Sequence, residues 1–533
     1  MTATITPYRS ELPPARDHFW QLLRAEWTKF RTVRGWAVAA VASALLIVGF
    51  AYLGTFHHQS GVCAGVGATP SSGSCQTTRP HVPVGPGGEA VSDSYYFVHR
   101  TLQGNGSLTA RVSSLTGRIQ TGTSQGVSQR DLIGAVGPVQ PWAKAGLILT
   151  ASTRPGSAYA AVMLTGAHGL RMQSDYTQDT AGPDVSAAAS RWLRLTRTGT
   201  TIAGYESADG TDWTKVGSAQ LASLPPSVQG GVFATSPQTA PASDQFGSGA
   251  QGQATGLSAT FDGLTRQGQW LGSGWSGTYI GATSQLPTLS SVGYRRSAGG
   301  FTVAGSGDIA PAVGLPAAFT AQPSLTGVFV GLIVMIVLGT MFITVEYRRG
   351  LIHTTFAASP RRWRVLAAKA AVIASVTFVA GAAATAVSIP LGQHLLRSGG
   401  NYVYPTSTLT ELRVILGIGV LLALAAVLAL ALGTALRRSA AAVTVAVGLI
   451  VVPYVLAFAS ALPAGVSDWL LRVTPAAAFA VEQTLPQYHQ VNYLYAPAQG
   501  FYPLAPAAGL AVLCAYALLA LGVAGYLLHG RDA

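Results

Sequence analysis

The chain has 533 residues, 49% of them hydrophobic and only 10% charged, against roughly 25% charged in soluble chains. That deficit argues against a soluble globular protein and for one built into a membrane. The formal charge is +13, which would suit a nucleic-acid partner unless its placement along the chain has another cause.

The first element is an amphipathic helix at 17–36, DHFWQLLRAEWTKFRTVRGW. Phe19, Leu22, Leu23, Trp27, Phe30 and Val33 recur at helical spacing on one face, with Arg24, Thr28 and Arg31 opposite. The aromatic Trp20 and Trp27 beside the cations Lys29, Arg31 and Arg34 describe a helix lying in the membrane interface. Glu26 falls inside the apolar face, so it either meets a buried cation, such as an arginine of another loop, or reaches toward headgroups.

An apolar stretch follows at 36–55, the first of six long enough to cross a bilayer, which takes about 20 residues. The others are 325–345, 370–391, 412–436, 440–462 and 504–528. The apolar core of the first is too long for a cleaved signal peptide, and about 35 residues precede it. No stretch holds an Asp, Glu, Lys or Arg in its interior, whereas an ion-coupled carrier keeps an ionisable group there.

The segment 57–322 is of another kind, rich in Gly, Ser, Thr and Ala. Cys63 and Cys75, if outside the cell, form a candidate disulfide. A metal site there would need His57, His58 or His81 as further ligands and is not expected; Cys514 lies in an apolar stretch as packing. Short runs with strand character are GSLTARVSSL (106–115), AGLILTAS (145–152), YAAVMLTG (159–166), HGLRMQSDY (168–176), RWLRLTRTGTTIAGYESADGTDWTKVG (191–217) and QGGVFATS (229–236). Turns fall at Thr198-Gly199 and at Asp209-Gly210, a favoured hairpin dipeptide. Many short strands with turn signals predict an all-β antiparallel sandwich.

PWAKAGLILTASTRPGSAYAAVMLTGAHGLRMQ followed by RWLRLTRTGTTIAGYESADGTDWTKVGSAQL resembles the concanavalin A-like lectin/glucanase jelly roll in its non-catalytic, DUF1349-like form. The resemblance spans about 95–264, with ATFDGL (259–264) as a closing strand. It implies a domain of the type appended to secreted or surface glycan-related proteins. A glycosidase needs two carboxylates about 5–10 Å apart. Asp175, Asp179, Asp184, Glu206, Asp209 and Asp212 are available, but no motif sets an acid at a strand centre facing another. Trp142, Trp192, Tyr205 and Trp213 either stack on sugars or fill the sandwich core, and the core is the favoured reading. Within 267–322 only a strand and loop at 299–314 are legible.

Between the second and third apolar stretches lies EYRRGLIHTTFAASPRRWRVLAAK (346–369). Gly350 permits a change of direction, LIHTTFAAS has helical spacing, and Pro360 stops it, the residue before a proline being biased away from helix. Lys and Arg in short loops set orientation. Arg9, Arg16, Arg24, Lys29, Arg31 and Arg34 precede the first span, Arg348, Arg349, Arg361, Arg362, Arg364 and Lys369 follow the second, Arg437 and Arg438 follow the fourth, and Arg531 follows the last. The other side has only Arg397, Arg413 and Arg472 in its short loops. Both termini are therefore expected in the cytoplasm, with 57–322 outside. Topology explains the basic excess, and nucleic acid loses its support.

LLRAEWTKFRTVRGW and the 346–369 segment, with the six-span order and a last span running into LLHGRDA, resemble the permease subunits of ABC-2 type exporters, especially actinobacterial ones. The resemblance covers 15–56 and 323–533, with the external domain inserted between the first two spans. It implies that the N-terminal helix and the 346–369 loop contact a separate ATPase. The coupling helix would be 350–359, flanked by Glu346, Tyr347, Arg348, Arg349, Pro360, Arg361 and Arg362, with Thr354 and Thr355 on it. It also implies a homodimer or paired permease, with ATP and Mg held by the partner ATPase. The chain itself has no G-x-x-x-x-G-K-[ST] loop, and no cofactor of its own is expected. Drugs, peptides, lipids and surface glycans all stay open as cargo. The other reading is a membrane-anchored glycan-binding, sensor or adhesion protein, against which six spans count, since one or two suffice for an anchor.

Overall fold

In the computed structural model the described residues are 19–56, 82–119, 135–239, 253–281, 292–297, 299–312, 318–359, 361–459, 462–491 and 495–530. Cys63, Cys75 and Pro360 lie outside them.

The helices are α1 Phe19–Thr32, α2 Arg34–Phe56, α3 Thr326–Arg348, α4 Leu351–Ala358, α5 Arg362–Ser398, α6 Thr408–Leu436, α7 Ser439–Phe458, α8 Ala464–Val473 and α9 Pro506–Gly530. Six of them, α2, α3, α5, α6, α7 and α9, are long and apolar enough to cross a membrane. They coincide with the six stretches read from hydropathy, with one informative difference. α5 begins at Arg362 rather than near 370, because the alanines around Lys369 extend the helix at no propensity cost. Its 37 residues would measure about 55 Å, more than the ~30 Å hydrocarbon core. Lys369, assigned to a loop by hydropathy, is therefore a helical residue.

α6 is the central helix, buried along most of its length against α3, α5 and α9. Apolar helices in lipid gain little from hydrophobic burial against each other and pack through small residues. A Cβ on Gly339 of α3 would collide with the Ala426 carbonyl oxygen of α6, and one on Gly327 with the Ile47 carbonyl oxygen of α2. Gly448 of α7 has open space around it. Gly339→Val is therefore expected to destabilise the solubilised protein by about 1–3 kcal/mol through overpacking, read as a drop in thermal midpoint, while Gly448→Val stays near wild type.

The β domain is built around one large antiparallel sheet of thirteen strands, folded back on itself until it is nearly barrel-like, with two separate two-stranded pairs beside it. Its strands are β1 Val91–Asp93, β2 Tyr95–Ile119, β3 Ala135–Gly137, β4 Lys144–Thr150, β5 Tyr159–Thr165, β6 Leu170–Ser174, β7 Gln178–Ala181, β8 Arg191–Thr198, β9 Thr201–Ser207, β10 Thr214–Gln220, β11 Ser227–Thr235, β12 Thr255–Ile280, β13 Gly293–Ser297, β14 Gly300–Gly305, β15 Ile309–Pro311 and β16 Ala318–Phe319, with β17 Tyr402–Val403 contributed from beyond α5. Two long strands make the fold-back. The first half of β2 pairs with β11 and its second half with β8, while β12 runs beside both halves. The path bends at Gly104 (φ 66°) and, on β12, at Gly268 (φ 96°), left-handed positions that glycine adopts without strain. One half-sheet continues β11-β4-β5-β6-β7 and the other β8-β9-β10, with β14 and β13 beyond β12. Their facing sides share one core, including Val98, Leu108, Leu147, Val162, Leu193 and Ile202.

β4 and β5 are buried on both faces, which is why they read as unbroken apolar runs. Their second face, with Phe97, Ile148, Tyr159, Met163 and Phe233, is closed by the β1–β15 pair. Residues 267–280, which sequence reading left unassigned, are the second half of β12, and Gly300–Gly305 is a full strand beside its first half. The expected hairpin at Thr198-Gly199 is the β8–β9 turn, where Thr198 pairs with Thr201.

Candidate functional site

The end of the bundle opposite the β domain gathers the residues that sequence analysis singled out. α1 lies along α5, but its buried residues are Glu26 and Phe30, not the tryptophans. Trp20 is 75% and Trp27 47% exposed, so the inward stripe is rotated away from the aromatic one. Phe30 meets Phe342 of α3 edge-on, with ring centroids 6.0 Å apart.

Glu26 does meet a buried cation, and it is a lysine of α5 rather than a loop arginine. Glu26 Oε2 accepts from Lys369 Nζ at 2.7 Å, and Glu26 Oε1 from Lys29 Nζ at 2.8 Å. Glu346 Oε1, in the last turn of α3, accepts from Lys369 Nζ at 2.6 Å and from Lys29 Nζ at 3.4 Å. Lys369 is fully buried and its ammonium lies 5.1 Å from the Phe342 ring centroid. Two carboxylates and two ammoniums thus form a neutral cluster that pins α1 to α3 and α5. Each buried charge is thereby paired, as burial requires, although Glu346 Oε2 has no hydrogen-bond partner among the described residues.

α4 follows at once. Gly350, left-handed at φ 69°, turns the chain out of α3. Ile352 is buried and holds α4 on the bundle, while Leu351 is 49% exposed. The Thr354 and Thr355 hydroxyls both donate to the Leu351 carbonyl, at 2.8 and 3.0 Å, so they face their own helix. Arg348, Arg349 and Arg361 are exposed, as are Arg31 and Arg34 of α1 and α2, and among the described residues none of the five forms an ion pair. Arg362 donates to the Leu528 carbonyl of α9 at 2.6 Å, and Arg437 lies 5.3 Å from the Tyr347 ring. The site can present a short helix and a ring of guanidiniums on a rigid base.

At the other end the β domain is fastened to the bundle. β16 pairs in parallel with β17, Tyr404 Oη donates to the Ala312 carbonyl at 2.5 Å, and Tyr402 Oη to that of Gly88. Gln490, between α8 and α9, donates to the Tyr176 and Thr177 carbonyls at 3.2 and 3.3 Å. A cavity of about 220 Å³ lies at this junction, among Glu89, Pro311, Tyr404, Thr410, Thr484 and Tyr488.

The Tyr176 hydroxyl in turn donates to Asp93 Oδ2 at 2.8 Å. Burial pushes the Asp93 carboxyl up to about 6 from its ordinary 3.8, against the hydrogen bonds from Tyr176 and the Gly156 N–H. A group with a raised folded-state value stabilises fully below its unfolded value and loses that contribution as pH rises through the folded one. The β domain is thus expected to lose up to about 3 kcal/mol of stability between roughly pH 4 and pH 6 from this group alone. Thermal midpoints across that range would show the slope in the wild type and its reduction in Asp93→Asn.

The candidate sugar-stacking residues do not converge. Trp142 is buried, stacked on His168 at 4.0 Å with Arg171 5.4 Å from its ring. Trp192, Tyr205 and Trp213 are not core residues; they are half-buried on the outward face of β8, β9 and the turn before β10. Arg111 lies 5.8 Å from the Trp192 ring and Arg194 3.8 Å from that of Trp213. Nor do the acids converge: Asp179 pairs with Arg171, and Glu206 lies 3.9 Å from Arg191. Asp209 closes the β9–β10 turn, and hydrogen bonds from Thr211 hold its carboxyl well below the usual carboxylate range. Among the described residues no group of His, Cys, Asp and Glu has the arrangement to hold a metal ion.

No family model and no curated protein matches the chain. Among solved structures it is similar to a functionally unknown protein from Saccharomyces cerevisiae, at 14% identity and TM-score 0.21 over 33% of this chain and 76% of that one. It is also similar to scytalido-glutamic peptidase, at 10% identity and TM-score 0.25 over 41% of this chain and 99% of that one. A third is the GH43 protein BlXynB from Bacillus licheniformis, at 14% identity and TM-score 0.18 over 31% and 28%. Likeness at these TM-scores carries no functional argument.

Proposed function

We propose that the chain is the membrane-spanning subunit of an ABC-2 type exporter, moving its cargo with ATP hydrolysed by a separate ATPase. The observation that carries this reading is the four-charge cluster of Glu26, Lys29, Glu346 and Lys369, which ties α1 to α3 and α5 at the end of the bundle where α4 leaves α3. A force applied to α4 there passes directly into α3, and through Lys369 into α5. An ATP-driven partner needs such a protruding, stiffly backed element to push on.

In this reading the end bearing α1 and α4 faces the cytoplasm, because its short segments hold the Lys and Arg excess. The β domain is then external and stands over the exit end of the bundle. Two copies form the path, as in the family the sequence resembles. ATP and Mg belong to the partner, since the sequence has no phosphate-binding loop. The test is stimulation of the partner ATPase by the reconstituted subunit. A wild-type subunit that leaves ATP turnover unchanged in proteoliposomes removes the reading.

A further inference from the structure

Where the two half-sheets part, the second half of β12 pairs only with β2 among the described strands, leaving its other edge open. Between Leu271 and Ser276 the register slips, and Gly272–Trp275 bulges out. Trp275 packs edge-on against Phe301 with centroids 5.6 Å apart, and Trp270 lies 6.3 Å from it. Tyr294 of β13 closes the other side, 5.9 Å from Phe301 and 6.3 Å from Tyr96, with its hydroxyl 3.4 Å from the Trp275 carbonyl.

Arginines converge on this aromatic rim. Arg266 lies 5.4 Å from the Trp275 ring, and Arg100 Nε donates to the Leu271 carbonyl at 2.8 Å. Arg296 shares one face of β13 with Tyr294, two residues away, and is exposed. Burial and the neighbouring Arg100 charge push the Arg266 guanidinium below its usual value. Among the described residues no carboxylate pairs with Arg100, Arg266 or Arg296. Three acids of the domain are engaged elsewhere: Asp262 with Arg111, Asp179 with Arg171 and Asp308 with Lys144. Like charges with no counter-ion among the described residues, beside half-exposed ring faces, are the complement of an anion that carries rings.

We propose that this rim binds an anionic polysaccharide. Its carboxylate, phosphate or sulfate groups sit on Arg100, Arg266 and Arg296, whose planar forks match such oxyanions. A sugar ring lies against Trp275 or Tyr294, and sugar hydroxyls meet the N–H and C=O groups of the β12 edge that no described strand pairs. That open edge favours a polyhydroxylated ligand over a lipid surface. The rim also stands about 17 Å along β2 from Tyr95, at the root of the domain, at ~3.3 Å per residue. The proposal does not depend on the exporter reading.

The test uses the full chain in zwitterionic nanodiscs, titrated with a polygalacturonate oligomer, a neutral dextran of equal length, an oligo-dT and phosphatidylglycerol vesicles. Polygalacturonate should bind at least ten-fold more tightly than the other three. Arg266→Gln/Arg296→Gln should weaken it ten-fold or more. Arg295→Gln, on the opposite face of β13, should cost less than three-fold. Arg266→Lys/Arg296→Lys, which keeps the charge, should fall between. All these side chains are exposed, so thermal midpoints should stay at the wild-type value. Dextran, oligo-dT or vesicles binding as tightly as polygalacturonate would overturn the proposal, as would a glutamine pair that binds like the wild type.

Discussion

Lys369→Met is expected to be the most damaging single substitution at the helical end of the molecule. It leaves Glu26 and Glu346, with side chains 3% and 13% exposed, facing each other with only Lys29 between them. Lys29 is itself 43% exposed and 3.4 Å from Glu346, so it cannot neutralise both. Removing one partner of a buried pair costs about 3–5 kcal/mol, because the remaining charge stays desolvated. The expected result is a lower thermal midpoint and release of α1, read as faster tryptic cleavage at Arg31. Adding Glu26→Gln and Glu346→Gln should recover much of the loss, since an apolar or neutral set of similar volume is tolerated better than an unpaired charge. A Lys369→Met protein as stable and protease-resistant as wild type would mean that the cluster does not hold α1.

The second large effect concerns α4. Leu351 is its exposed apolar side chain, while Ile352, one residue on, is its buried one. A partner that grips α4 would seat Leu351 in a pocket, and central apolar anchors of interfaces carry about 2 kcal/mol or more. Leu351→Asp is therefore expected to weaken ATPase association by roughly thirty-fold, with membrane insertion and thermal midpoint unchanged. The Thr354→Ala/Thr355→Ala pair is a milder companion. Both hydroxyls bond within α4 rather than outward, so the pair should lower ATPase stimulation far less than Leu351→Asp, with insertion normal. Glu346→Ala is a poorer probe than its place in the loop suggests, because it disrupts the charge cluster as well. Leu351→Asp with full association and stimulation would remove α4 from the coupling site.

The helical half was legible because a bilayer demands long uninterrupted apolar runs, and such runs survive in one dimension. Glu26 was legible for the same reason, as an acid on a face otherwise apolar. Its partner was not, because hydropathy ends a span at its last charge. Lys369 was therefore counted with the loop charges, although RRWRVLAAK reads as the start of the third span and α5 does begin at Arg362. In the β domain the strands with clean turns, β8 and β9 above all, were legible from alternation and from Gly199. The second half of β12 was not. QGQWLGSGWSGTY carries two register shifts, and the one after Leu271, an odd shift, moves the following side chains to the other face. Its partner β2 lies more than 150 residues earlier, a pairing that no local pattern encodes. The outward Trp192 and Trp213 misread as core because a tryptophan flattened under an arginine has the same sequence signature as a buried one.

The central claim is that this chain receives its energy from an ATPase in trans, through α1 and α4. Purification of the tagged full-length protein from its native host, with ATP trapped by vanadate, tests it most directly. A phosphate-loop ATPase should co-purify with the wild type and be lost with Leu351→Asp. Recovery of the wild-type chain with no ATPase would contradict the account.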